Sequence, residues 1–130
     1  MRKIKPEQLL ASRLAAYIKM NYPEVIFRFD LAADMPLPMH LAKRGKELHG
    51  KFNRGYPDLF LARCTKKFGG LYLELKAGKS IPNTEHTRRQ ASYHTMLRLA
   101  GYKVEFCLGY EDCTEKVRKY LKKAKVTIRQ

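Results

Sequence analysis

Apolar positions recur along this chain with two different periods, and the switches between them mark its elements. Over residues 6–21, Leu10, Leu14, Tyr17 and Ile18 repeat at helical spacing behind Pro6, which suits a first helical turn. Residues 25–30 are β-branched and aromatic and predict a strand. Met35-Pro36-Leu37-Pro38 blocks regular structure, and residues 39–48 predict a short basic helix ending at Gly50. Gly55 and Pro57 set a tight turn into the apolar run Leu59-Phe60-Leu61-Ala62. A loop turning at Gly69-Gly70 leads to a second run, residues 71–76, so the two runs predict an antiparallel hairpin. Residues 77–83 form a mobile basic segment; a helix over 84–100 follows, stopped by Gly101. On it Gln90, Tyr93 and Leu97 share a face. Residues 102–108 alternate as a half-buried strand, and 111–123 form an amphipathic helix with Val117, Tyr120 and Leu121 inward. A last short strand is predicted through Val126-Thr127-Ile128.

The order is helix, strand, strand, strand, helix, strand, helix. A helix between the third and fourth strands predicts a right-handed crossover between parallel strands. The fold class is therefore α/β, a mixed β-sheet flanked by α-helices, built as one domain over residues 1–130. No apolar stretch reaches the roughly 18–20 residues of a membrane span, and the basic N-terminus lacks a signal-peptide core. These features predict a cytoplasmic protein. Cys64, Cys107 and Cys113 are odd in number and hold no C-x-x-C pair, which argues against a disulfide framework or a zinc knuckle. The four histidines, His40, His49, His86 and His94, have no metal-ligand spacing among themselves.

Charge changes the picture. Lysine and arginine total 27 against 12 acids, a formal +15. A field of that sign concentrates polyanions, and nucleic acid is the usual one. Lys43, Arg44, Lys46, Lys51 and Arg54 make residues 43–54 the most basic approach to the hairpin, with Lys79, Arg88 and Arg89 adding charge beyond it. These eight are the candidate phosphate contacts.

Against that background three residues stand out. Asp58 opens one hairpin strand, and Glu74 and Lys76 close the other. Residues two apart on a strand share a face, about 6.6–7 Å apart, so Glu74 and Lys76 point the same way. An antiparallel pairing brings Asp58 beside Glu74. Two acids and an amine at one sheet end suit a hard divalent cation beside a proton-handling lysine, which suggests phosphodiester hydrolysis. Glu7 extends this set, being an acid in line with the buried stripe of the first helix. It equally suits a first helical turn, where it complements the dipole.

The ordered set Glu7, Gly55-Tyr56-Pro57-Asp58, Glu74-Leu75-Lys76 and Gln90-Ala91-Ser92-Tyr93 resembles the PD-(D/E)XK nuclease superfamily, and within it the VRR-NUC nucleases of phages and certain repair enzymes. The resemblance covers roughly residues 5–122 and implies a restriction-endonuclease-like core. It implies Asp58 and Glu74 as main ligands of Mg²⁺, for which Mn²⁺ could substitute, with the Leu75 carbonyl and Glu7 completing the set. Lys76 would orient or deprotonate the attacking water, and Gln90 would help to fix that lysine, the water or the phosphate. Where many relatives carry an asparagine-containing stretch, this chain has Pro36-Leu37-Pro38-Met39-His40, so the resemblance assigns no residue there.

The expectation is a metal-dependent DNA endonuclease that selects branched or junction DNA by shape, acting as a homodimer because symmetric cutting needs paired sites. Two alternatives stay open on the sequence: a non-catalytic basic nucleic-acid-binding module, and an RNA-cleaving enzyme on the same core. The first leaves Glu7, Asp58 and Glu74 unexplained, since acids in a phosphate groove weaken binding unless a cation neutralises them.

Overall fold

The computed structural model describes residues 4–30 and 36–126. Along the chain lie helix α1 (Pro6–Asn21), strand β1 (Phe27–Phe29), helix α2 (Met39–His49) running into a 3-10 turn (Gly50–Phe52), strands β2 (Leu59–Leu61) and β3 (Leu71–Lys76), helix α3 (Glu85–Leu99), strand β4 (Lys103–Leu108) and helix α4 (Gly109–Lys123). The strands lie side by side in the order β1-β2-β3-β4. β1 and β3 both run antiparallel to β2, whereas β4 is parallel to β3 through the α3 crossover. The mixed sheet flanked by helices is therefore the one that the periodicity predicts.

The sheet has two unlike faces, a consequence of the two-residue period. Leu59, Leu61, Leu71, Leu73 and Leu75 share one side with Cys107, and all are buried. The stripe Leu10, Leu14 and Ile18 of α1 and the stripe Cys113, Val117, Tyr120 and Leu121 of α4 close over that side to make the main core. On the opposite side lie Arg28, Phe60, Tyr72, Glu74, Lys76, Val104 and Phe106. There α3 covers β3 and β4, but its buried residues are Thr87, Gln90 and His94, all polar. The inward face of α3 thus centres on Gln90 and His94, with Tyr93 and Leu97 only partly buried. A polar helix face turned into a protein costs free energy unless the sheet beneath it offers partners.

Several boundaries shift for local reasons. α3 begins behind Thr84, whose hydroxyl accepts the Thr87 N–H at 3.1 Å, and Gly101 past its end holds φ +102°. α4 starts directly after β4 because Gly109 holds φ +79°, and Asp112 accepts the Leu108 N–H at 2.8 Å. β1 is shorter than predicted: Val25 is buried while Ile26 is 71% exposed, outside the paired register. Val126 is not in a strand but bonds back to Leu121, and Thr127 and Ile128 lie outside the described residues, as does Met35 of the Pro-rich breaker.

The cysteines depart further from expectation. Cys107 on β4 and Cys113 in the first turn of α4 are joined by a disulfide with Cα atoms 5.1 Å apart, both fully buried, while Cys64 is free and exposed. Parity argued against a framework, and one staple across the strand-to-helix turn is compatible with an odd count. Among the described residues, no helix is long and apolar enough to cross a membrane.

The loop between β2 and β3 tests the packing. A Cβ on Gly70 would lie 2.6 Å from the Phe60 ring and 3.1 Å from the Leu61 carbonyl, whereas one on Gly69 meets Tyr102 at an ordinary 3.4 Å. Gly70→Ala is expected to cost about 1–3 kcal/mol in urea or thermal unfolding by overpacking, and Gly69→Ala to change stability by much less.

Candidate active site

The hairpin register builds the centre of the site. Leu59 pairs with Leu73, so Asp58 and Glu74, one step further along each strand, fall side by side. The tight turn that delivers Asp58 needs Gly55, at φ +91°, and buries Pro57. Asp58 is 8% exposed and Glu74 is 2% exposed. The Asp58 carboxylate accepts the Leu75 backbone N–H at 2.7 Å and hydrogen-bonds to the Glu74 side chain. Its own carbonyl accepts the Asp30 N–H at 2.8 Å, tying β1 to the site.

Lys76 closes β3 on the same side as Glu74. Its ammonium donates to Gln90 Oε1 at 3.0 Å and stands 5.9 Å from the Phe106 ring centroid. Gln90 is buried on α3 and fixes the reach of the lysine. One helical turn later on the same face is His94, wholly buried. Its Nε2 lies 3.6 Å from Glu74 Oε1, and its ring packs on Phe106 with centroids 4.8 Å apart. On the polar inward face of α3, Gln90 therefore bonds to Lys76, whereas His94 stands against Glu74 with neither ring nitrogen hydrogen-bonded.

Asp58, Glu74, Lys76 and Gln90 line a cleft of about 520 Å³ that also contains Glu7, Asp30, Leu75, Arg54 and Arg89, with His94 behind its wall. Glu7, from the first turn of α1, is half-buried in the wall. Glu7, Asp58, Glu74, Leu75, Lys76 and Gln90 therefore share one cavity. Among the described residues, no three or more Asp, Glu, His and Cys side chains are gathered as a ready-made metal cage. The tight acidic unit is the Asp58–Glu74 pair.

The cationic residues divide between two places. Arg54 and Arg89 line both the cleft and a neighbouring groove, while Lys43, Lys46 and Lys51 line the groove alone. Arg44 pairs with Glu47 at 3.5 Å on the exposed side of α2. Arg88 donates to Asn83 at 3.0 Å, and it and Lys79 line neither cavity. Sequence reasoning missed Asp30 in the cleft wall and His94 buried behind it. Asp30 was read only as a strand end. His94 was judged by its distance from other histidines, although its spacing of four from Gln90 puts it on the same helical face.

The electrostatics follow from burial. Desolvation, then the hydrogen bond and charge of Glu74, push the Asp58 carboxyl up to about 9; the Leu75 N–H and Lys76 oppose this and lose. In the absence of a cation the pair therefore holds a proton at neutral pH. Burial, then Arg98, lower His94 to about 4, so its imidazole is neutral there. A neutral ring can support Glu74 without supplying charge, so the acids lack the positive charge that two ionised carboxylates require.

A mixed sheet carrying Pro-Asp and Glu-x-Lys on neighbouring antiparallel strands, followed by a helical crossover to a parallel strand, is a restriction-endonuclease-like arrangement. A solved structure described as a VRR_NUC domain protein has a similar fold, with a TM-score of 0.65 and 17% identity, over 94% of this chain and 93% of that one. The fold is thus the one that the VRR-NUC resemblance implies. No family model and no curated protein matches the chain.

The raised Asp58 carboxyl gives a pH prediction. Its folded-state value lies above its ordinary 3.8, so the stability it contributes is present at low pH and is lost as pH rises towards about 9. His94 works the other way only near pH 7, where the unfolded imidazole, ordinarily 6.5, still binds some proton; towards pH 9 it is neutral in both states and adds no slope. With a chelator present, the melting temperature is expected to fall across that window. The neutral isostere Asp58→Asn should flatten the slope and raise the melting temperature at pH 9; an equal slope in both proteins would contradict the proton-holding pair.

Proposed function

We propose that this chain is a metal-dependent endonuclease that hydrolyses phosphodiester bonds in DNA. The observation that carries the proposal is a buried carboxylate pair beside a lysine held by Gln90, in a cleft flanked by arginines, on a fold shared with a VRR_NUC domain protein.

The donor set suits a hard divalent cation. Its side-chain donors are oxygens, and the pair holds a proton for want of a positive charge. Asp58 and Glu74 would hold Mg²⁺ or Mn²⁺, with the Leu75 carbonyl and Glu7 from the same cleft. The ion would supply Lewis-acid stabilisation of the phosphate and a more acidic water. The remaining work belongs to the chain. Lys76, its ammonium bonded to Gln90, would orient the attacking water and stabilise charge on the phosphate oxygens. His94 limits the rotation of Glu74 from behind. Arg54 and Arg89 hold the flanking phosphates, contacts that position DNA without reading its sequence.

Selection of branched DNA by shape fits this plan, since contacts to phosphates carry no sequence information. Paired cutting at a junction would need two copies of the site. Leu41 and Leu48, exposed and seven residues apart on the face of α2 turned away from the groove, offer one surface for a homodimer.

The proposal is tested on plasmid, linear and branched DNA with Mg²⁺, Mn²⁺ or EDTA. Wild type is expected to cut with either metal and not with EDTA. Lys76→Ala should bind DNA while losing about 10²–10⁴-fold in rate, and Asp58→Ala should lose at least as much. Gln90→Leu should cut more slowly by a smaller factor, since Lys76 remains but is no longer held. A wild type that binds DNA yet leaves every substrate whole in both metals would overturn the assignment.

A further inference from the structure

Beside the cleft lies a larger groove, about 1570 Å³, that the cleavage chemistry does not use. It opens where the sheet is left uncovered: Arg28 and Phe60, paired across β1 and β2, line it on the side away from the leucine core. Its other wall is α2, none of whose residues is buried. Arg54, Tyr56 and Arg89 line both cavities, so the groove runs into the cleft.

Its lining combines two chemistries. Lys43, Lys46 and Lys51 supply cations. Phe52, Tyr56 and Tyr93 supply aromatic rings, and Phe52 and Tyr56 are 42% and 37% exposed. Tyr93 lies 5.9 Å from Phe52 at 80° and 6.0 Å from Tyr56 at 83°, edge to face rather than stacked. The Lys51 ammonium stands 5.2 Å from the Phe52 centroid, so charge and ring are presented together. A duplex turns phosphates outward and keeps its bases stacked inside, so a duplex alone would call for the cations and leave the rings idle. A strand with unpaired bases uses both, with phosphates on the lysines and bases on the ring faces.

We propose that this groove binds an unpaired DNA strand and leads it into the cleft, so that the preferred substrate carries single-stranded nucleotides beside the cut. The inference deepens the nuclease assignment and rests on it for the identity of the ligand. Its test uses binding alone, so the two can fail separately.

The chain contains no tryptophan, so Phe52→Trp places the sole indole in the groove. In EDTA its emission is expected to be quenched by oligo-dT and by a duplex with a dT overhang, and not by the same duplex with blunt ends. Phe52→Leu, which keeps apolar bulk but no ring face, should weaken overhang binding by about 5- to 150-fold and blunt-duplex binding by less than twofold. Lys51→Gln should weaken overhang binding and make it less salt-dependent, as loss of a phosphate contact does, while changing blunt-duplex binding by less than twofold. If Phe52→Leu folds poorly, the Phe52→Trp emission still decides. Equal quenching by blunt and overhang duplexes, or none by either, overturns the proposal. So does an indole emission that shifts with protein concentration in the absence of DNA, which would assign the groove to a second copy of the chain.

Discussion

Two carboxylates forced together in a buried place are the constraint on which this molecule turns. The pairing of Leu59 with Leu73 fixes it, because that register sets Asp58 beside Glu74 before any side chain adjusts. A slip of one residue would turn both acids to the other face and the leucines outward. The five buried leucines on the opposite side of the sheet therefore hold the acids in place, and the main core is the scaffold of the site. Proton sharing is the response of such a pair without a cation, and the proposed function has a dication take the place of that proton.

The polar inner face of α3 follows from the same constraint. A crossover helix packed on a sheet ordinarily turns apolar residues inward, yet Thr87, Gln90 and His94 are the buried positions here. Lys76 and Glu74 lie beneath them: Gln90 accepts from Lys76 at 3.0 Å, while His94 stacks on Phe106 with Nε2 3.6 Å from Glu74 Oε1, beyond hydrogen-bond reach. The helix thus gives up hydrophobic burial on one stripe to hold Lys76 and to pack against Glu74, and the α1 and α4 side carries most of the hydrophobic stabilisation.

Much of this was legible in the sequence because it is written at short range. The period-two runs around Asp58 and Glu74 predicted the hairpin, and the Gly-x-Pro-Asp turn predicted where the acid would sit. The meeting of Lys76 and Gln90, fourteen residues apart, became legible through resemblance to an ordered motif. His94 was not legible in the same way: its role depends on which face of α3 turns inward, and Tyr93 and Leu97 suggested a different centre. The disulfide was hidden because Cys107 and Cys113 meet only once β4 turns straight into α4 at Gly109. The groove was hidden too, since exposed rings from separate segments form a wall only after folding.

The central claim, that Asp58 and Glu74 share a proton that a divalent cation displaces, is tested most directly by calorimetric titration with Mn²⁺ near pH 7.5 in buffers of different ionisation enthalpy. Saturable binding with proton release is predicted for wild type, and its loss is predicted for Asp58→Asn and Glu74→Gln. Unaltered binding in both variants, or binding by wild type with no proton released, would contradict the account.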